Sequence, residues 1–162
     1  MSDRTNLCTL AFWFVTLVAA QSTAQVMMTG PSTQNQLLGT WVIEVHYADG
    51  GLASGTERWY AGPGGKSLIE EYQEKGSAGE IAGEGILWWD DKLRDYRLVW
   101  CESTNASGCI YPAGKVRWDA GQLIIEGEGF KEIFSDITDR SFKQTISGKG
   151  LKPLLTIEAR KK

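Results

Sequence analysis

Trp41-Val42-Ile43-Glu44-Val45-His46-Tyr47, closed by Asp49-Gly50-Gly51, is the stretch that decides the fold. β-branched and aromatic residues dominate it and turn formers end it, so it reads as a strand entering a hairpin. The pattern recurs downstream. Strand-like runs are expected at 56–60, 67–74, 81–89, 96–102, 109–118, 123–128, 130–138, 142–147 and 154–160, with turn residues such as Ala61-Gly62-Pro63-Gly64-Gly65 and Asp119-Ala120-Gly121 between them. The spacing, roughly 12 residues per strand plus turn, is that of an antiparallel barrel or sandwich. After Leu37 no helical period survives three turns without meeting Gly or Pro. Pro112 falls at a break in the sixth run, where a missing ladder donor is tolerable. Consecutive tight turns favour a meander, and closing the sheet hides its edges. The expected fold is all-β: a single antiparallel up-and-down β-barrel of about ten strands, spanning residues 37–162.

The region upstream reads differently. Leu7 to Ala20 is an apolar run behind a short polar start containing Asp3 and Arg4, and Ser22-Thr23-Ala24 offers small residues for cleavage before Gln25. Residues 1–24 are therefore expected to be a signal peptide and 25–36 a flexible lead-in. The competing reading is an uncleaved anchor, but the run is shorter than the roughly 20 residues that a spanning helix needs. Export to the periplasm or the extracellular space follows, with no stable membrane span after cleavage.

The 162 residues carry 17 basic and 20 acidic side chains, for a net charge of -3. That balance argues against a nucleic-acid partner, which needs clustered positive charge. The charge is uneven: residues 40–110 hold 6 basic and 12 acidic side chains, residues 111–162 hold 10 and 7. One wall of the barrel is thus expected to be more acidic and the other more basic. The single His, His46, alternates with Val42 and Glu44 and is placed on the outer face. One His argues against zinc sites with several His ligands and against a Ser-His-Asp arrangement. Gly64-Gly65-Lys66-Ser67 lacks the first Gly of a phosphate loop, because position 60 is Tyr60. No metal and no cofactor are expected.

Removing the leader leaves Cys101 and Cys109, which flank a hairpin-like loop containing Asn105, Ser107 and Gly108. In an oxidising compartment two such cysteines suggest a disulfide, with a pair of unbridged, packed thiols as the alternative.

Gly39-Thr40-Trp41, after the apolar pair Leu37-Leu38, resembles the G-x-W start of lipocalins and the wider calycin group of ligand-binding barrels. That resemblance implies that Trp41 closes the barrel floor and that Arg160, near the end of the last strand, packs across its indole. The layout from Leu37 to Lys162 as a whole, with its Trp88-Trp89-Asp90 turn and Trp100-Cys101-Glu102-Ser103, is similar to a family of bacterial calycin-like domains without an assigned activity. Nitrobindin-like barrels are close in plan, but they ligate haem through a late His that is absent here.

Chemistry then falls to acids among aromatics. Alternation groups Leu68, Glu70 and Tyr72; Tyr96, Leu98, Trp100 and Glu102; Phe130, Glu132 and Phe134; and Leu87 with Trp89. If these faces point inward, Glu70, Glu102 and Glu132 are carboxyl groups in an apolar barrel, raised in pKa unless Arg58 or Lys131 pairs with them. A one-residue slip would invert every face. The expected function is binding of a small apolar or amphipathic molecule, with Glu70, Tyr72, Trp89, Trp100, Glu102 and Glu132 as the ligand-facing set. The alternatives are an isomerase, cyclase or hydrolase using paired carboxyl groups, or a filled barrel acting through its surface. Oligomeric state is not legible.

Overall fold

Every strand of the barrel is antiparallel to its neighbours, and the first pairs with the last. The computed structural model describes residues 34–162 except 78 and 112. The expected signal peptide and most of the lead-in lie outside these residues. The last lead-in residues form a one-turn helix, α1 (Gln34–Leu37), ahead of eleven strands. These are β1 (Gly39–Tyr47), β2 (Leu52–Ala61), β3 (Ser67–Gly76), β4 (Gly79–Asp90), β5 (Asp95–Glu102), β6 (Cys109–Ile110), β7 (Lys115–Asp119), β8 (Gln122–Gly127), β9 (Phe130–Ser135), β10 (Ser141–Ser147) and β11 (Pro153–Lys161).

The ten expected staves are present, the sixth split into β6 and β7. Cys109 and Ile110 pair with β5 at one end, Val116 pairs with Tyr96 at the other, and the break falls between them. β2 starts earlier than its propensity suggests, because Gly55 permits a close crossing. A Cβ at Gly55 would lie 1.8 Å from the Gln73 carbonyl oxygen on β3. The other staves follow the chain in order, and β1 closes on β11 from Trp41↔Lys161 to Tyr47↔Leu155. With the wall closed, no long edge stays open for pairing with another chain.

Alternation along the strands is clean where it matters. In β1, Trp41, Ile43 and Val45 are buried while Val42, Glu44 and His46 are exposed, which places His46 outside. In β3 the inward set is Leu68, Glu70, Tyr72 and Glu74. The core sits at the end holding the start of β1: Trp41, Trp59, Leu68, Leu87, Leu123, Phe134 and Phe142 are all buried there. Trp41 and Phe142 meet edge to face at 4.9 Å, and Trp59 and Phe134 at 5.8 Å, geometries the ring quadrupoles favour.

Trp41 is the plug of this floor. Its Nε1 donates to the Leu37 carbonyl at 2.7 Å, so α1 caps the barrel through one buried hydrogen bond. The cation over its ring is Lys161, with Nζ 4.3 Å from the centroid and donating to the Leu38 carbonyl. Arg160, which the family resemblance assigned to this place, is exposed and pairs in register with Val42 on the outside. Parity explains the correction: Ile157 and Ala159 face inward, so the next inward position is 161. The Gly of the G-x-W start has its reason here too. Gly39 has φ 133°, and a Cβ on it would lie 2.6 Å from Lys161 Cε.

At the opposite end, Cys101 and Cys109 are disulfide-bonded directly across β5 and β6. A bridge closing so short a loop stabilises by roughly 2–3 kcal/mol in the chain-entropy picture.

Candidate functional site

The barrel is not packed solid. Above the aromatic floor lies a cavity of about 330 Å³, at the small end of the roughly 300–1,000 Å³ usual for ligand pockets. Its wall combines apolar side chains, among them Ile81, Leu98, Ile125, Phe130, Leu155 and Ile157, with Glu70, Glu74, Glu102 and Glu132. Among the described residues, no Lys, Arg or His lines it.

Each acid is placed by strand parity, and each has a different environment. Glu74, 6% exposed, is held by two phenols: Tyr47 Oη donates to Oε1 and Tyr72 Oη to Oε2 at 2.6 Å. Burial first, and then this shared carboxyl, push both phenols above their ordinary pKa. Glu102 accepts from Trp100 Nε1 at 3.1 Å and from Thr104 Oγ1. Glu132 accepts from the Gln144 side-chain amide. Glu70, also 6% exposed, has no hydrogen bond or ion pair among the described residues. Glu57, fully buried, is the register partner of Tyr72 and takes one hydrogen bond, from Trp59 Nε1, while its Oε2 has no partner.

The expected counter-ions are elsewhere. Arg58 pairs with Glu71 at 3.4 Å and stacks over Tyr60 at 4.7 Å on the outer wall. Lys131 pairs with Glu126 at 3.2 Å, also outside. Left without a cation, Glu57, Glu70 and Glu132 hold their protons more tightly than a solvated carboxyl does. Burial pushes Glu57 up to about 8, with the charge of Glu132 adding and the Trp59 hydrogen bond opposing. Burial raises Glu132 to about 7 against the opposing Gln144 hydrogen bond. Glu70 is raised well above the ordinary carboxyl range by burial and by the neighbouring charges of Glu57 and Glu132. Three interacting acids without a cation cannot all ionise together near neutral pH.

The aromatic part of the wall is equally specific. Trp100 lies flat against the backbone of β4: a Cβ at Gly83 would meet its ring at 2.4 Å, and one at Gly85 at 3.1 Å. Tyr72 approaches that indole edge-on, with centroids 6.4 Å apart. Gly83 and Gly85 thus make a shelf on which an indole rests with its other face free to bound the cavity.

Of the residues expected to face a ligand, Glu70, Tyr72, Trp100, Glu102 and Glu132 line the cavity. Trp89 does not. It packs edge-on against Tyr96 at 4.9 Å, near the floor end of β4, because alternation gives a residue's side of the wall and not its height along the axis. Glu74, Glu57, Tyr47 and Gln144 went unread. Glu74 continues the alternation Leu68-Glu70-Tyr72 by one more step, so the signal for it was present.

No known family and no curated protein matches the chain. Among solved structures, a de novo designed fluorescence-activating β-barrel superposes with a TM-score of 0.48 at 13% identity, covering 82% of this chain and 100% of the design. A redesigned β-barrel bound to DFHBI superposes with a TM-score of 0.46 at 18% identity, covering 82% of this chain and 100% of its own. Likeness of that degree carries no argument about function, which must come from this chain's own residues.

Proposed function

We propose that this protein is an exported binding barrel that holds one small amphipathic molecule in the cavity above the Trp41 floor. The observation that carries this reading is the contrast within one interior. A filled aromatic floor supplies stability, while the space above it is left open and lined by apolar side chains with a few convergent polar groups. That combination characterises ligand sites more than structural cores. Kinship with calycin-like barrels and secretion behind a signal peptide belong to the same proposal. The Cys101–Cys109 bridge supports an oxidising compartment.

Tryptophan fluorescence and native mass spectrometry test the reading together. A panel of apolar and amphipathic ligands should include members that quench emission, and a Trp100→Phe variant should lose most of that response. A protein that carries no small molecule in the native spectrum and shows no quenching across the panel would rule the reading out.

A second reading has one specific observation behind it. Glu70 and Glu132 share the cavity with raised pKa values and no salt bridge, as a general acid–base pair requires. An isomerase or hydrolase of this kind predicts turnover that disappears in both Glu70→Gln and Glu132→Gln.

A further inference from the structure

The cavity is selective in the kind of polar group it leaves unmatched. Glu70 faces the space nine-tenths buried and without a partner among the described residues. Gln144 spends its amide N–H on Glu132, and its Oε1 is left without a donor. Glu57 Oε2, inside the barrel beside Tyr72, is likewise unpartnered. With Glu70 and Glu57 ionised, all of these are acceptors. The donors of the wall are already used, since the phenols of Tyr47 and Tyr72 both bond Glu74 and Trp100 Nε1 bonds Glu102. Buried acceptors without donors are costly, and what would relieve them is a group rich in N–H. With no Lys or Arg in the wall, an anion entering here meets only carboxyl groups. An ammonium brings three donors and the charge that the acids lack. Directly beside Glu70, the Trp100 indole on its glycine shelf offers a flat apolar face, which also favours a cation nearby.

We propose that the molecule held in this cavity is a protonated organic amine, its ammonium on Glu70 within reach of Glu132 and Gln144 Oε1, its flat apolar body against Trp100. This inference rests on the binding reading above and narrows it to one charge class. The groups facing Glu70 from the surrounding staves are Tyr47 of β1, Glu57 of β2, Tyr72 and Glu74 of β3, Glu102 of β5, Glu132 of β9 and Gln144 of β10, and none is cationic. Seating an ammonium on Glu70 therefore requires a proton to leave the acid cluster, and affinity for the amine rises with pH from the weakly acidic range to above neutrality.

The test is calorimetric titration of the full mature chain with three matched probes: naphthylmethylamine, naphthylmethanol and naphthoate. At mildly alkaline pH the amine should bind about tenfold or more tightly than the alcohol, and naphthoate least. Repeating the amine titration in buffers of different ionisation enthalpy should show net proton release. Glu70→Gln should reduce the amine to the affinity of the alcohol, and Glu132→Gln should shrink the preference if the first variant folds poorly. Glu71→Gln, on the outer face of the same strand, should leave all three affinities unchanged. Equal binding of amine and alcohol, unaffected by Glu70→Gln, would overturn the amine assignment and leave the binding cavity standing. If none of the three binds, and the native spectrum shows no small molecule, both fall.

Discussion

The floor and the mouth of this barrel are built from the same strands and the same alternation, yet they obey opposite rules. At the floor, Trp41, Trp59, Phe134 and Phe142 fill the interior and the Trp41 indole N–H has its carbonyl, while Trp118 Nε1 and Gln36 Oε1 at that end are neutral groups left without a partner. Toward the mouth, inward positions of the same strands carry Glu70, Glu74, Glu102 and Glu132, and acceptors are left unmatched. Close packing is what a core needs, whereas unmatched buried acceptors lower stability. Under the binding reading proposed above, a ligand would repay that cost, and the two ends would divide the labour between stability and recognition.

The largest effect that would sharpen this contrast is in the floor. Phe134→Ala should cost about 3–5 kcal/mol in urea unfolding, because a fully buried ring leaves a cavity that its neighbours cannot fill. Leu155→Ala in the mouth should cost less than half of that, since its side chain already borders open space. Equal losses at the two sites would erase the distinction.

The acids supply the next effect, and its sign is fixed by linkage. Glu57 and Glu132 have folded pKa values of about 8 and about 7, above the ordinary 4.5. The folded chain therefore binds more protons than the unfolded one between those limits, and stability falls as pH rises through them. Below that window the sign reverses, because Arg117 and Lys131 hold Glu126 down at about 2, and its contribution is lost as pH drops. Maximal stability is thus expected near pH 5, about the ordinary carboxyl value, with a loss of a few kcal/mol by about pH 8.5, just above the pKa of Glu57. Glu57→Gln should flatten that slope and raise the melting temperature at the alkaline end. A melting temperature that rises steadily from pH 5 to pH 8.5 (the same two limits) would contradict the unpaired-acid account.

The smallest effect tests the plug. Lys161→Ala should cost about 0.5–1 kcal/mol, the value of an exposed cation over an indole, while Arg160→Ala should cost nothing measurable in thermal melts.

Much of this was legible from the chain, and the misses have a common cause. The staves could be read because β-branched runs ended by turn residues encode strand and hairpin locally, down to the split of the sixth run into β6 and β7. A period of two grouped Glu70 with Tyr72, Trp100 with Glu102, and Glu132 with Phe134; that these faces point inward became visible only in the closed barrel. Height along the barrel axis did not follow, since it depends on strand stagger, and so Trp89 was assigned to a cavity that lies at the other end. The calycin resemblance implies Arg160 over Trp41, whereas strand parity points to Lys161. Glu57 lies inside the expected run 56–60, but that run was given no inward face, and only the close approach of Gln73 explains why the strand extends back through Gly55. The absence of counter-ions inside could not be read at all, because Arg58 and Lys131 find outer-wall partners only once the sheet is closed.

The most direct test of the central claim is an NMR titration of the glutamate side-chain carboxyl carbons in the ligand-free protein. Unpaired acids in the mouth predict that Glu132 titrates near about 7, Glu57 near about 8 and Glu70 well above the ordinary range, while exposed Glu126 titrates near about 2. If every interior glutamate titrates near about 4.3, as in a solvated peptide, the mouth is not the uncompensated acid cavity described.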